Sequence, residues 1–436
     1  MKKILFFVLL ITLSLEQVQI KRSQRSKHGE DCISDSACEE GLICKINRCF
    51  TKFESSHLKE LGLLEKNICD LKKKCPANKK CVKHRCVDEN TPIEPPKNRT
   101  ADVDDVHLVF AGGIDLNRKP YLSGLKPDHT VNYDHLFTHI NSYIKGADLA
   151  VVAQESPFYI QEGTLIKDSK KTPKELADAI ANAGFKVVLH ASTNAYLHKE
   201  KGIIDTLNYW KTKHPEVRPL GIASTEEESQ KDYFIFEKNN IKIGIINYSG
   251  FVGKSIPSKN KFMVNIISRK KVEECIPQLK KEVDFIIICI NWGEKYGLNP
   301  NKNEMKWAKE LTRLGADLII GNNPSFVQPT TFVKAENGNC ALVFFSLGNL
   351  IGENLKKTSA LGALANIVIS KENGKTFISS YNLIPTINHA VSSPQYSVHK
   401  LSEYTDLLGK EVNKKFSLEK AKGACRSVMG AFAHCG

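Results

Sequence analysis

From about residue 104 onward the chain alternates short apolar runs with longer amphipathic stretches. Short runs of hydrophobic residues predict buried strands, and apolar side chains that recur every three to four positions predict helices. Regular alternation of the two favours an α/β domain with mixed β-sheets flanked by helices. The predicted strands are 107–111, 147–153, 186–191, 233–237, 241–248, 285–291, 317–321, 341–346, 363–370 and 376–385, and the predicted helices are 135–145, 173–183 (with Thr172 as its cap), 201–211, 271–282 and 302–314.

Before residue 90 the pattern is set by cysteines instead. Four cysteines with gaps of five, five and four residues recur 37 positions later, which indicates an internal duplication over 30–88. Zinc is the weaker interpretation, because tight zinc sites use closer C-x-x-C pairs, and disulfides are favoured in an oxidising compartment. The predicted disulfide cysteines are Cys32, Cys38, Cys44, Cys49, Cys69, Cys75, Cys81 and Cys86, whose pairing stays open, and Cys425 with Cys435 as a C-terminal bridge.

The N-terminus is typical of a signal peptide over 1–19. Lys2 and Lys3 precede an apolar run over 4–13 that is too short to span a bilayer comfortably, although a retained anchor is the alternative. We therefore expect a secreted or secretory-lumen protein with no transmembrane helix in the mature chain. A proline-rich linker over 89–103 contains Asn98 in a glycosylation sequence, and Asn247 lies in a second one.

Charge narrows the choice of partner. The 436 residues carry a formal net charge of +14 with a pI near 9.0, which favours anionic partners. The lysines are spread along the chain, so a well-solvated surface is the plainer explanation. We expect an acidic polymer, a glycan or an extracellular protein as partner, and no nucleic acid.

The candidate functional residues lie where predicted strands end. Ligands of α/β sheets bind beyond the carboxyl ends of strands, so polar residues there predict one shared site. The strand exits in question are Gly112-Gly113, Gln154-Glu155, Ser192-Thr193-Asn194, Asn291-Trp292-Gly293 and Gly321-Asn322-Asn323.

Four segments of the chain, three of which contain one of these strand exits, resemble the CapA/PgsA family of capsule or poly-γ-glutamate synthesis proteins, which is related to calcineurin-like metallophosphoesterases. The resemblance implies a calcineurin-like sandwich over 104–392 and leaves 393–436 as a C-terminal extension. The cysteine repeat is similar to EB-type or Dickkopf N-terminal modules. The matching motifs are Asn291-Trp292-Gly293-Glu294 for His-Trp-Gly-Glu, residues 315–325 for GADLVIGHHPH, residues 345–349 for a segment ending in SLGN, and residues 148–157 for a strand ending in Asn-x-Glu-Ser-Pro.

The departures from this family fall on its metal-site candidates. Gly113 replaces its Asp, Ala153 its Asn, and Asn291 a His, while Glu155 is retained. Ser192-Thr193-Asn194 replaces Asn-Asn-His, and Asn322-Asn323-Pro324-Ser325 replaces His-His-Pro-His. Carboxamide oxygens are poor ligands for zinc, iron or manganese, so the resemblance implies a degenerate site with no metal and no catalytic residue. Calcium or magnesium on oxygen donors is the alternative.

We therefore predict a non-catalytic pocket that binds the partner. The rival hypotheses are an active CapA-type hydrolase or polyglutamate-processing factor that uses a hard cation, and a domain that is only a scaffold. The predicted ligand-binding residues are Asp115, Glu155, Thr193, Asn194, Asn291, Trp292, Asn322, Asn323 and Ser325, of which Glu155, Asn194, Asn291, Asn322 and Asn323 are also the degenerate-site candidates.

Overall fold

A computed structural model divides the chain into two compact units, Met1–Asp102 and Val103–Gly436. The predicted signal peptide, the linker with Asn98, and Cys32, Cys38, Cys69 and Cys75 lie outside the described residues. The structure describes residues 42–45, 48–51, 79–82, 85–88, 104–160, 171–352, 361–372, 374–391, 396–430, 433 and 435.

Two β-hairpins are described in the first unit. Strand β1 (Leu42–Lys45) pairs with β2 (Arg48–Thr51), and β3 (Lys79–Val82) pairs with β4 (Arg85–Asp88), both antiparallel. Each strand of the second hairpin lies 37 residues after its counterpart. A hairpin therefore occurs at the same point of each cysteine repeat, and the duplication itself stays a prediction.

The second unit contains two mixed sheets. Their strands are β5 (Asp104–Ile114), β6 (Leu149–Gln154), β7 (Val187–Leu189), β8 (Arg218–Leu220), β9 (Tyr233–Lys238), β10 (Ile241–Ser249), β11 (Phe285–Asn291), β12 (Leu318–Asn322), β13 (Thr330–Lys334), β14 (Cys340–Phe344), β15 (Asn349–Ile351), β16 (Leu361–Glu372), β17 (Lys375–Ala390) and β18 (Tyr396–Lys400). The larger sheet has the strand order β18-β17-β16-β5-β6-β7-β8, with β15 paired to β5, and the smaller has the order β13-β14-β12-β11-β10-β9.

The described helices connect or follow these strands, and no described helix is long and apolar enough to cross a membrane. They are α1 (Arg118–Ser123), α2 (Asn141–Lys145), α3 (Glu175–Ala183), α4 (Lys199–Lys213), α5 (Glu226–Gln230), α6 (Arg269–Leu279), α7 (Lys302–Leu314), α8 (Asp406–Val412) and α9 (Leu418–Met429).

The two sheets pack face to face over one apolar core. Leu108 and Val151 of the larger sheet share a buried cluster with Ile245, Ile287 and Ile320 of the smaller sheet. Alternate residues of the same strands point outward into two further clusters, where they meet the flanking helices. This arrangement confirms the predicted fold class of mixed sheets flanked by helices.

Some predicted elements are wrong in detail. The segment 135–145 is not one helix but a 3₁₀ turn, Asp134–Leu136, followed by α2, although its apolar residues are buried as the periodicity predicts. Thr172 does not cap α3; it pairs with Phe158 instead, and its carbonyl accepts the backbone N–H of Tyr159. By contrast, β11 and α7 have the bounds that the sequence predicts.

Candidate functional site

Three polar side chains reach the edge of the intersheet core by simple alternation. Side chains two positions apart on a strand face the same side, so a polar residue two positions after a core residue points between the sheets. In each case the earlier residue belongs to the intersheet cluster. The pairs are Ala153 and Glu155, Cys289 and Asn291, and Ile320 and Asn322.

Glu155 and Asn291 form a connected hydrogen-bonded group with Thr193 and Asn323, and the side chain of Asn322 lies buried beside it. Asn291 donates from Nδ2 to the two carboxyl oxygens of Glu155 at 3.4 and 3.5 Å. Its Oδ1 lies 3.2 Å from both the backbone N and the Oγ1 of Thr193. The Thr193 hydroxyl also lies 3.1 Å from Oδ1 of Asn323. We call Glu155, Thr193, Asn291, Asn322 and Asn323 the amide pocket.

The neighbouring residues Asn322 and Asn323 differ in the hydrogen bonds that their side-chain amides make. Asn323 has a φ of 93°, in the left-handed region that asparagine tolerates better than most residues. Its Nδ2 donates to the carbonyls of Trp292 and Gly293, both at 3.0 Å, so it holds the loop after β11. Oδ1 of Asn322 is buried without a hydrogen-bond partner among the described residues, which leaves one acceptor for a ligand or water.

Burial dominates the electrostatics of Glu155. Glu155 is 7% exposed, and its pKa is raised from 4.5 to about 7, chiefly by desolvation. The charge of Asp115 contributes to this rise, while Lys295 and the hydrogen bond from Asn291 oppose it. Lys295 Nζ lies 3.9 Å from Oδ2 of Asp115 at the edge of the pocket. Glu155 therefore changes protonation state close to neutral pH.

The donor set of the pocket does not fit a transition-metal ion. A Cβ atom on Gly113 would lie 2.9 Å from Oε1 of Glu155 and 3.7 Å from Oδ1 of Asn349. These two side chains therefore occupy the space that an aspartate side chain at position 113 would need. Among the described residues, no three histidines, cysteines or acids gather where they could hold an ion. Zinc, iron and manganese need imidazole or several carboxylates, whereas amides supply most donors here.

The remaining predicted residues are placed differently. Asn194 is half-buried, and its N–H donates to Ser192 Oγ at 3.2 Å, which itself donates to the carbonyl of Glu155. Asp115 lies at the edge of the pocket, where its carboxylate faces the ammonium group of Lys295. Ser325 is buried. The indole of Trp292 packs on Phe345 in the cluster on the outer face of the smaller sheet and donates to its carbonyl at 2.8 Å. The structure thus does not bring the Trp292 ring together with the amide pocket.

Three residues at the site were not among the predicted set. Asn349 faces Gly113, and Lys295 lies on the loop after β11, where alternation gives no signal. Asn247 accepts the N–H of Ala191 at 2.8 Å and donates to the carbonyl of Cys289 at 3.3 Å. It lies two positions after Ile245, so the same alternation identifies it. Its burial also places this second glycosylation sequence inside the folded domain.

The second unit contains the predicted C-terminal bridge and a buried thiol close to the site. The predicted bridge between Cys425 and Cys435 is confirmed, with Cα atoms 5.8 Å apart. Cys289 is a buried thiol in β11, and its burial raises its pKa. Neither places a nucleophile in the amide pocket.

Sequence comparison identifies relatives of the second unit. The family model for the bacterial capsule synthesis protein PGA_cap matches residues 107–354. The chain is 23% identical over 262 residues to the PGA biosynthesis protein CapA of Bacillus subtilis (strain 168), covering 59% of this chain and 66% of that protein. It is 24% identical over 241 residues to the capsule biosynthesis protein CapA of Bacillus anthracis, covering 52% and 57%. The aligned part thus spans less than two thirds of either relative.

Solved structures show a weaker likeness. NAD nucleotidase (NadN) of Haemophilus influenzae aligns with a TM-score of 0.40 at 12% identity, over 74% of this chain and 56% of that one. The calcineurin-like phosphoesterase YfkN from Bacillus subtilis aligns with a TM-score of 0.38 at 13% identity, over 74% and 96%. Both TM-scores lie below 0.5.

Proposed function

The chain belongs to the bacterial capsule synthesis protein PGA_cap family, and we propose that it is a secreted, non-catalytic member that binds an acidic polymer, a glycan or an extracellular protein. The observation that carries this proposal is the amide pocket itself. Its one deeply buried carboxyl group, that of Glu155, accepts a hydrogen bond from the amide of Asn291. The resemblance to the family places a histidine at position 291.

The chemistry of these groups suits binding better than hydrolysis. Amides and hydroxyls both donate and accept hydrogen bonds, so they recognise polar ligands without a change of charge. Metal-assisted hydrolysis needs an ion that polarises a phosphoryl oxygen and lowers the pKa of a bound water. The pocket lacks the imidazole donors for such an ion. The net charge of +14 adds a long-range attraction for anions.

A second function has one observation in its favour. Asp115 lies close enough to Glu155 for its charge to raise the pKa of that carboxyl group. Two nearby carboxylates and several amide oxygens are donors that calcium or magnesium accepts. The alternative is thus a CapA-type hydrolase or polyglutamate-processing factor that uses a hard cation.

Alanine substitutions of Asn291 and Asn322 test the proposal in the full chain. We expect each to weaken binding of the partner by about tenfold, because a buried hydrogen bond is worth about 1–3 kcal/mol when one side is lost. Binding is measured by calorimetry against poly-γ-glutamate, an oligosaccharide panel and extracellular protein candidates. Asn303→Ala, on the exposed side of α7, is the control and should bind like the parent.

A hydrolysis assay on the same variants separates the alternatives. Phosphodiester and poly-γ-glutamate cleavage is measured with calcium or magnesium present, and we expect none above background. Turnover that disappears in Asn291→Ala would refute the non-catalytic function and support the hard-cation enzyme. Binding that survives both alanine substitutions would show that the domain is a scaffold only.

A further inference from the structure

Exposed apolar side chains concentrate around the amide pocket. Of the large hydrophobic residues that are exposed in the described part of the chain, Phe251, Tyr296 and Leu298 lie on two loops beside it, with 45%, 53% and 51% of their surface exposed. Gly250 donates its N–H to the carbonyl of Asn291 at 2.7 Å, and Gly253 donates to the carbonyl of Thr193 at 2.8 Å. The loop that carries Phe251 is therefore bonded directly to the pocket.

The backbone holds Tyr296 in a strained conformation. Its φ is 68°, in the left-handed region that bulky residues rarely adopt. Gln328 Nε2 donates to the carbonyl of Gly297 at 3.1 Å, and the Phe326 ring meets the Tyr296 ring edge-on at 6.1 Å. These contacts keep a mostly exposed ring in place at a conformational cost. Strained backbone conformations of this kind cluster at ligand-binding sites, where the surrounding structure prevents the residue from relaxing.

The charges beside the pocket argue against a polyanion as its occupant. Lys295 lies 3.9 Å from Asp115, so its charge is already matched. A ligand with many carboxylates would also face Glu155 at the floor of the pocket and the exposed Glu294 on the same loop as Lys295. The exposed Lys254, on the loop that carries Phe251, is offset by the exposed Glu294 on the other loop. The neutral groups at the pocket are amides, a hydroxyl and aromatic rings, and Oδ1 of Asn322 is unpartnered among the described residues.

We propose that the amide pocket binds a neutral oligosaccharide. A pyranose ring presents hydroxyl groups at its rim and an apolar C–H face, which match amides and aromatic rings respectively. Tyr296 and Phe251 stack on the C–H faces of the sugar, while Oδ1 of Asn322, which has no partner among the described residues, and the hydroxyl oxygen of Thr193 accept hydrogen bonds from its hydroxyls. This inference rests on the proposed function, since it names the ligand class of the same pocket.

Binding of labelled full chain to an array of neutral oligosaccharides, followed by calorimetry with those retained, tests the inference. We expect a Kd tighter than about 1 mM. Tyr296→Ala and Phe251→Ala should each weaken it by about tenfold, because an aromatic contact is worth up to about 1.5 kcal/mol. Leu407→Ala removes an exposed apolar side chain from α8 and should leave the affinity unchanged.

Tyr296→Asn separates ligand contact from folding. Asparagine tolerates a positive φ, so this variant should melt at or above the temperature of the parent while it loses sugar binding. Unchanged sugar affinity in a folded Tyr296→Asn protein would overturn the inference. So would failure to retain any sugar on the array.

Poly-γ-glutamate in the same calorimetric titration separates this inference from the proposed function. Binding of that polymer, abolished by Lys295→Ala but unaffected by Tyr296→Asn, would overturn the sugar inference and leave the non-catalytic function standing. Sugar binding accompanied by phosphodiester turnover that requires Asn291 would support the ligand class and contradict the non-catalytic function.

Discussion

Glu155 lies at the end of β6 with its carboxyl group between an amide and a glycine. Asn291 donates to it, and no side chain projects from Gly113, so the carboxyl group occupies that space. A multivalent cation beside Glu155 would favour its charged form and lower its pKa, whereas burial without one raises it. The raised pKa of Glu155 thus follows from its burial and from the nearby charge of Asp115.

Glu155→Gln should change how stability depends on pH. The pKa of Glu155 rises from 4.5 to about 7 on folding, so its contribution is fully present below pH 4.5 and is lost as pH rises through 7. Relative to the parent, the glutamine variant should gain up to about 3 kcal/mol between pH 5 and pH 8. Urea unfolding at the two pH values measures this gain. An identical pH slope in both proteins would show that Glu155 is ionised throughout.

At the scale of elements, the site is held by bonds between strand ends of different sheets. Asn247, at the end of β10, accepts the N–H of Ala191 just beyond β7 and donates to the carbonyl of Cys289 on β11. These bonds fasten the exit of β7, which leads into Thr193, to the smaller sheet. The position of Thr193 against Asn291 therefore depends on a residue outside the amide pocket.

Asn247→Ala should destabilise the domain by about 1–3 kcal/mol, because the buried N–H of Ala191 loses its acceptor. Chemical unfolding of the full chain measures the change, with the exposed Asn303→Ala as the matched control. Equal stability of the two variants would mean that Asn247 does not connect the sheets. A mass shift from glycosylation at Asn247 in protein secreted by eukaryotic cells would contradict its burial.

Sequence pattern predicts the elements of this fold unevenly, for physical reasons. Strand β11 is an almost continuous apolar run, and Asn301 precedes α7 as its N-cap in a capping box with Glu304, so both elements have clear bounds. Strands β8 and β15 have three residues each, too few for a periodic signal. Alternation brings Glu155, Asn291 and Asn322 together, whereas the position of Lys295 follows from the path of a loop.

At the scale of the whole second unit, the C-terminal segment packs through a histidine cluster. The rings of His139 and His399 stack with centroids 3.9 Å apart, and His389 lies 5.5 Å from His399. Nδ1 of His389 lies 2.8 Å from the hydroxyl of Tyr404, and its Nε2 lies 3.6 Å from a carboxyl oxygen of Glu411. The cluster thus joins β17 and β18 to the segment that continues into α8.

Acid should loosen this packing. Burial, together with the charges of His139 and His389, lowers the pKa of His399 from 6.5 to about 4. Its contribution to stability is therefore present above pH 6.5 and is lost as pH falls toward 4. His399→Gln should remove about 1–2 kcal/mol of this acid sensitivity, a value reduced for partial solvent screening. Hydrogen exchange of α8 at pH 7 and pH 5 provides the measurement, and equal acid sensitivity in both proteins would contradict the prediction.

The proposed non-catalytic function requires that the amide pocket, with its amides and one protonatable carboxyl group, holds no transition-metal ion. Elemental analysis of the purified full chain, after dialysis against buffer with zinc, iron and manganese supplied in turn, tests it most directly. We predict less than one tenth of an equivalent of each metal per chain, as expected for amide donors that bind such ions weakly. One or two equivalents retained by the parent and lost in Glu155→Gln would contradict the account.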